Sequence, residues 1–303
     1  MKLIIDTDPG VDDTLAIALA VAIPEVELLG LTAIFGNTFV KQSSRNARYL
    51  LDFLGYDCPV AEGAALPYGA SDYTPSANVH GDEGLGALTT VPEIGKNIDE
   101  TAAAFLVRMA AENAGELVVC AIGPLTNIAD ALALDPAFAT NIKSLVIMGG
   151  AYAVPGNITP HAEANIYHDA AAADVVFATE MPIVMVGLDA TMQTLLTPED
   201  FEAMAVTSPK VGGFVRDISN FYLGFYRSVG VFDGCPMHDS TALLACLFPE
   251  KFTFEKSGIK VVLSGDDIGD TVADASRPKV DVAVGIDAKW AVDYAMAQVA
   301  TLD

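Results

Sequence analysis

Basic residues are scarce in this chain of 303 amino acids. Only 16 Lys and Arg stand against 40 Asp and Glu, a formal charge of −24. A surface of that sign repels phosphate backbones and anionic lipid, so nucleic acid and membrane surfaces are excluded as partners. Cysteine is also sparse: Cys58, Cys120, Cys235 and Cys246 share no close spacing and no CxxC pair. They read as free thiols of a reducing compartment, and with an N-terminal apolar run too short for a secretory signal the expected location is cytoplasmic. Long apolar runs are missing despite a mean hydropathy of +0.39. The candidate stretch at 145–162, for example, is cut by Gly149, Gly150, Pro155, Gly156 and Pro160. No membrane-spanning helix is therefore expected. Charged residues make up 18% and hydrophobic ones 52%, which excludes intrinsic disorder.

Short Val/Ile/Leu runs alternate with longer helical patterns, the signature of an α/β fold with an open, mostly parallel central sheet flanked by helices. Strands are predicted at 2–5, 28–35, 117–122, 145–148, 183–186, 259–263 and 280–284. Helices are predicted at 12–22, 39–54, 100–113, 125–134, 169–179, 211–229, 239–247 and 289–301. Gly63–Gly95 is the most loop-like segment, and loops of that length are usually functional or disordered. No repeat or linker divides the chain, so residues 1–303 are expected to form one domain.

Ligands of open α/β sheets bind beyond the carboxyl ends of the strands, and the unusual polar groups of this sequence fall there. The first strand runs into Asp6-Thr7-Asp8-Pro9-Gly10-Val11-Asp12-Asp13. Capping of a helix by acidic residues explains one or two of these carboxylates, but not four within eight residues. Like charges so close either raise each other's pKa or recruit a cation, and for a cation the oxygen donors without Cys or His point to a hard ion, Ca²⁺ or Mg²⁺. Other candidates are Asn37, His80 in its glycine-rich loop, Asn157, Glu163, Asn165 and the pair His238-Asp239 at a helix start. Each also has a plain structural explanation as a turn, loop or cap residue. The stripe Phe221, Tyr222, Phe225 and Tyr226 has the spacing of a core-facing helix, a pattern more often core than ligand wall.

Taken in order, DTDPGVDD, Gly36-Asn37, His80-Gly81, Gly123-Pro124-Leu125-Thr126-Asn127, Met148-Gly149-Gly150, Gly156-Asn157-Ile158-Thr159-Pro160, Glu163-x-Asn165 and His238-Asp239 resemble the inosine-uridine-preferring nucleoside hydrolases. The resemblance runs from Asp6 through Asp239. It implies hydrolysis of a ribonucleoside to ribose and free base, as in nucleoside salvage, and commonly a homodimer or homotetramer. It further implies a Ca²⁺ ion held by Asp8, Asp13, Asp239 and the backbone carbonyl of Thr126. Ribose hydroxyls would bind Asp12, Asn37, Asn157, Glu163 and Asn165, while His80, Tyr222, Tyr226 and His238 would line the base side. Asp6 would orient the loop from behind. Because Ca²⁺ acidifies water weakly, a protein base is needed, and Asp8, sharing the ion with the attacking water, is assigned that role. His238 is assigned the acid that protonates the departing base, on the ordinary titration of histidine near pH 6.5. Ala164 stands where many relatives carry an aromatic side chain, which widens the pocket near the ribose.

A Mg²⁺-dependent phosphohydrolase built on Asp6 and Asp8 is the competing reading, and a non-catalytic nucleoside binder of the same fold is a third. The phosphohydrolase needs cations for phosphate, yet no Lys or Arg occurs between Leu3 and Val40.

Overall fold

The computed structural model describes residues 1–303. Its centre is a nine-stranded sheet. The strands are β1 (Lys2–Thr7), β2 (Glu27–Ala33), β3 (Val60–Glu62), β4 (Val118–Ala121), β5 (Ser144–Met148), β6 (Ile183–Val186), β9 (Phe252–Val261), β10 (Thr271–Ala273) and β11 (Lys279–Ile286). Two residues each of β7 (Leu195–Leu196) and β8 (Cys235–Pro236) form a separate antiparallel ribbon. The order across the large sheet is β10-β9-β11-β6-β5-β4-β1-β2-β3. From β3 to β11 every pairing is parallel, and β9 and β10 extend the β11 edge with antiparallel pairings.

Alternation along each central strand supplies both faces of the sheet. In β5, Leu145 and Ile147 enter a cluster of 29 buried apolar residues, whereas Val146 and Met148 enter one of 47. Leu3 and Ile5 of β1 face the larger cluster and Ile4 the smaller. The helices Ala102–Glu112, Thr126–Leu134 and Ala170–Phe177 cover the smaller cluster. Val11–Ala22, Val211–Ser228, His238–Leu247 and Ala288–Val299 cover the larger. A strand covered on both faces reads as a continuous apolar run, which is why β4, β5 and β6 lie within two residues of their predicted bounds.

Differences occur where that signal fails. β9 starts at Phe252, seven residues before its predicted start at Ile259, because exposed Thr253, Glu255 and Lys256 interrupt its apolar run. The three-residue strands β3 and β10 and the helix Pro198–Thr207 were not expected from the sequence. Between Gly63 and Gly95 the one helix is the short turn Ala77–His80. No helix is long and apolar enough to cross a membrane.

The sheet order reverses between β1 and β4, which run side by side while β2 and β5 continue outward in opposite directions. Chain segments leaving the carboxyl ends of β1 and β4 diverge there and open a crevice. Asp8 and Asp13 follow β1, and Thr126 follows β4.

Candidate active site

Pro9-Gly10 turns the chain sharply from β1 into the helix Val11–Ala22, and the turn is closed by Asp13. Its Oδ2 accepts the Gly10 N–H at 2.8 Å and its Oδ1 accepts the Thr7 hydroxyl at 2.5 Å. Gly36 and Gly123 leave room for the Asp8 carboxylate. A Cβ at Gly36 would overlap Asp8 Oδ2, and one at Gly123 would stand 2.8 Å from Asp8 Oδ1. Asn37 bridges the two acids, its backbone N–H donating to Asp8 Oδ2 at 2.6 Å and its side-chain amide to Asp13 Oδ2 at 2.9 Å.

Asp239, in the first turn of the helix His238–Leu247, joins them from the far end of the chain. Ligand oxygens of Asp12, Asp13 and Asp239 all lie within 4.8 Å of one another, so the tight group holds Asp12 where the sequence pointed to Asp8. Asp8, Asp13 and Asp239 are at most 3% exposed. Burial, together with the charges of Asp12, Asp13 and Asp8, raises Asp239 well above the usual carboxylate range. Burial and the charges of Asp13 and Asp12 raise Asp8 in the same way. Asp12 is pushed up to about 7 by burial and by Asp13. Asp8 Oδ1 and Asp12 Oδ1 are buried with no hydrogen-bond partner. Orphaned anionic oxygens among like charges are costly unless a cation meets them, so the donor set fits a hard divalent ion. Asp6 is engaged elsewhere, by the Thr32 hydroxyl and by Asn127 Nδ2. Thr126 is buried at the start of its helix, with its hydroxyl on Asp169 Oδ2 at 2.7 Å.

A cavity of about 540 Å³ opens onto this cluster through Asp12 and Asp239. Asn37, Asn157, Glu163 and Asn165 line it together with His80, Tyr222, Tyr226 and His238. Glu163 caps the helix Ala164–His168 and is held by the N–H groups of Gly150, Asn165 and Ile166. Asn165 spends its amide hydrogens on the carbonyls of Ile122 and Met148, which leaves its Oδ1 as an acceptor. Asn157 accepts the Ala164 N–H through Oδ1, which leaves its amide hydrogens free. A larger hollow of about 600 Å³, lined by Arg48, Cys58 and Lys96, contains none of these acids.

The aromatic stripe satisfies both of its sequence readings. Tyr222 and Tyr226 are buried in the larger core cluster and also face the cavity. Tyr222 Oη donates to Asp12 Oδ2 at 3.1 Å, and Tyr226 Oη lies 2.7 Å from His238 Nε2. His80 Nδ1 accepts the Val11 N–H at 3.2 Å, so the neutral ring carries its hydrogen on Nε2. Burial lowers His80 to about 3 and His238 to about 4. The expectation that His238 titrates near neutrality is thus corrected: enclosed by protein, its ring is uncharged at pH 7. Sequence reasoning missed Thr191, whose hydroxyl lies 2.7 Å from His238 Nδ1. It also missed Met192, Val229 and Val231 on the cavity wall. Nothing local marks Thr191, since its partner stands 47 residues away.

The model of the family described as inosine-uridine preferring nucleoside hydrolase matches residues 3–293. A probable uridine nucleosidase 1 from Oryza sativa subsp. japonica is 40% identical, over 92% of this chain and 86% of that protein. A solved plant nucleoside hydrolase superposes with a TM-score of 0.95 at 34% identity, covering 98% of each chain. A purine-preferring ribonucleoside hydrolase from Gardnerella vaginalis gives a TM-score of 0.96 at 35% identity, over 100% of this chain and 99% of that one. Family match, fold and acid-lined cavity agree, and the chain belongs to the inosine-uridine preferring nucleoside hydrolases and is a nucleoside hydrolase.

Proposed function

We propose that the enzyme cleaves pyrimidine ribonucleosides, uridine foremost, into ribose and free base. The convergence of Asp8, Asp12, Asp13 and Asp239 beside a cavity walled by Tyr222, Tyr226, His80 and His238 carries the hydrolysis, and the choice of uridine rests on the likeness to a probable uridine nucleosidase. Cleavage of an N-glycosidic bond builds positive charge on the sugar, and clustered carboxylates stabilise that charge electrostatically. Asp8 accepts the proton of the attacking water through Oδ1, the oxygen that no protein donor occupies. Asp12, Asn37, Asn157, Glu163 and Asn165 hold the ribose hydroxyls. A divalent cation, Ca²⁺ in our reading, is to be held by Asp8, Asp13, Asp239 and the Thr126 carbonyl, and when bound it balances the negative cluster and fixes the sugar diol.

On the base side, His80 Nε2–H is a fixed donor and the two tyrosine rings supply faces for stacking. His238 is uncharged at rest, so it acts on the leaving group as a link in a donor chain. Thr191 Oγ1, the His238 ring and Tyr226 Oη form consecutive contacts of 2.7 Å, a chain that can deliver a hydrogen bond to the departing base. No Lys or Arg lines the cavity, which disfavours a phosphohydrolase.

Incubation with uridine, inosine and cytidine, with reducing sugar measured, tests the proposal. Fastest release from uridine is expected; no release from any of the three would overturn it, and faster release from inosine would reverse the base preference. His238→Ala is expected to slow uridine about 10²-fold and a p-nitrophenyl riboside much less, because that leaving group needs no assistance. Equal slowing of both would remove His238 from leaving-group chemistry.

A further inference from the structure

Tyr73, in the long segment after β3, takes no part in the roles assigned above, yet it grips the backbone beside Asp8. Its Oη–H donates to the Gly36 carbonyl at 2.7 Å. The same oxygen lies 3.2 Å from His168 Nδ1. A phenol has one hydrogen, and with it spent on Gly36 the oxygen serves His168 as acceptor, which places the imidazole hydrogen on Nδ1. The ring is locked edge-on against Phe35 at 4.7 Å and His168 at 5.5 Å.

The Gly36 carbonyl and the Asn37 N–H are opposite ends of one peptide group. That group is planar and trans, so fixing its oxygen fixes the direction of its N–H. The N–H donates to Asp8 Oδ2 at 2.6 Å. A hydrogen bond accepted by the carbonyl also polarises the peptide and strengthens the bond its N–H makes. His168, for its part, ends the helix Ala164–His168, which is capped by Glu163 and carries Asn165 in its first turn. Its neighbour Asp169 accepts the Thr126 hydroxyl and the Tyr68 N–H, the latter from the same segment as Tyr73. Tyr73 therefore braces the turn that holds Asp8 against the helix that presents Glu163 and Asn165.

We infer that Tyr73 is a positioning residue for Asp8: by holding the Gly36 carbonyl it aims the Asn37 N–H at Asp8 Oδ2 and leaves Oδ1 to take the proton of water. This rests on the reading of Asp8 as the base. Tyr73→Phe removes the hydroxyl and keeps the ring contacts, so thermal melting of the variant should stay close to the parent. With uridine, kcat is expected to fall about ten-fold while KM stays within about two-fold, because the hydroxyl acts on the base and not on the sugar.

The decisive measurement adds the same substitution to Asp8→Asn, using single turnover at high enzyme concentration. There the Tyr73→Phe change should cost nothing further, since the group it orients is gone. A parental kcat in Tyr73→Phe, a loss confined to KM, or an undiminished ten-fold loss in the Asp8→Asn background would each overturn the inference while leaving hydrolysis by Asp8 intact. Parental turnover in Asp8→Asn alone would instead remove Asp8 as the base, and this inference with it.

Discussion

Asp8→Ala is expected to lower kcat/KM for uridine by at least ~10³, the largest single-residue effect in the molecule. General-base assistance alone is worth about 10²–10⁴, and the same side chain is proposed to hold the cation. Gly36 and Gly123 leave space on two sides that only the Asp8 carboxylate fills, and Asn37 N–H pins one of its oxygens. Asp13 is committed to Thr7, Gly10 and Asn37, whereas Asp12 engages Tyr222 through Oδ2 and keeps an unpartnered Oδ1 like that of Asp8. Steady-state kinetics across uridine, inosine and cytidine checks the loss, which should be similar for all three because the water is common to them. A companion Asp8→Asn variant separates chemistry from folding. In metal-free buffer it removes one charge from a buried, mutually repelling group, so its melting temperature should be no lower than that of the parent. Turnover near the parental rate in either variant would refute the assignment of Asp8.

The acids were legible because four carboxylates in eight residues exceed what a helix terminus needs. Their meeting with Asp239 came only with the family resemblance, because His238-Asp239 at a helix start reads equally well as a cap. The strands were legible where both faces are buried, as in β5, whose five residues are Ser-Leu-Val-Ile-Met. They were illegible where one face meets solvent, as in β9 with its exposed Glu255 and Lys256. The helix Pro198–Thr207 did carry a readable signal, since Thr197 and Asp200 form a capping box around Pro198. Other features depend on contacts that no window of sequence contains. Thr191 meets His238 across 47 residues, and Tyr73 meets His168 across 95. His238 shows the same limit in its chemistry, because the residue type suggested titration near neutrality while burial among Thr191 and Tyr226 lowers it to about 4.

Removing divalent ions by dialysis against EGTA is expected to abolish turnover, a fall of about 10³ or more, and readdition of Ca²⁺ should restore it. The physical reason is electrostatic. Burial and the facing charges of Asp12, Asp13 and Asp8 raise Asp239, and two oxygens of the cluster, Asp8 Oδ1 and Asp12 Oδ1, lack any hydrogen-bond donor. Mg²⁺ should restore less activity than Ca²⁺, because it demands near-octahedral geometry and parts reluctantly with its water. Binding also stabilises the native state. Calcium at a hundred times its dissociation constant adds about 2.7 kcal/mol, which for a chain of this length raises Tm by about 4 °C. Asp239→Asn then tells a structural ion from a chance one. Loss of one ligand should weaken the calcium-dependent rise in Tm as well as the activity, whereas the same substitution leaves an ion bound elsewhere untouched. Full activity after exhaustive chelation, or an undiminished calcium shift in Asp239→Asn, would mean that the carboxylates of Asp8, Asp13 and Asp239 work without a metal.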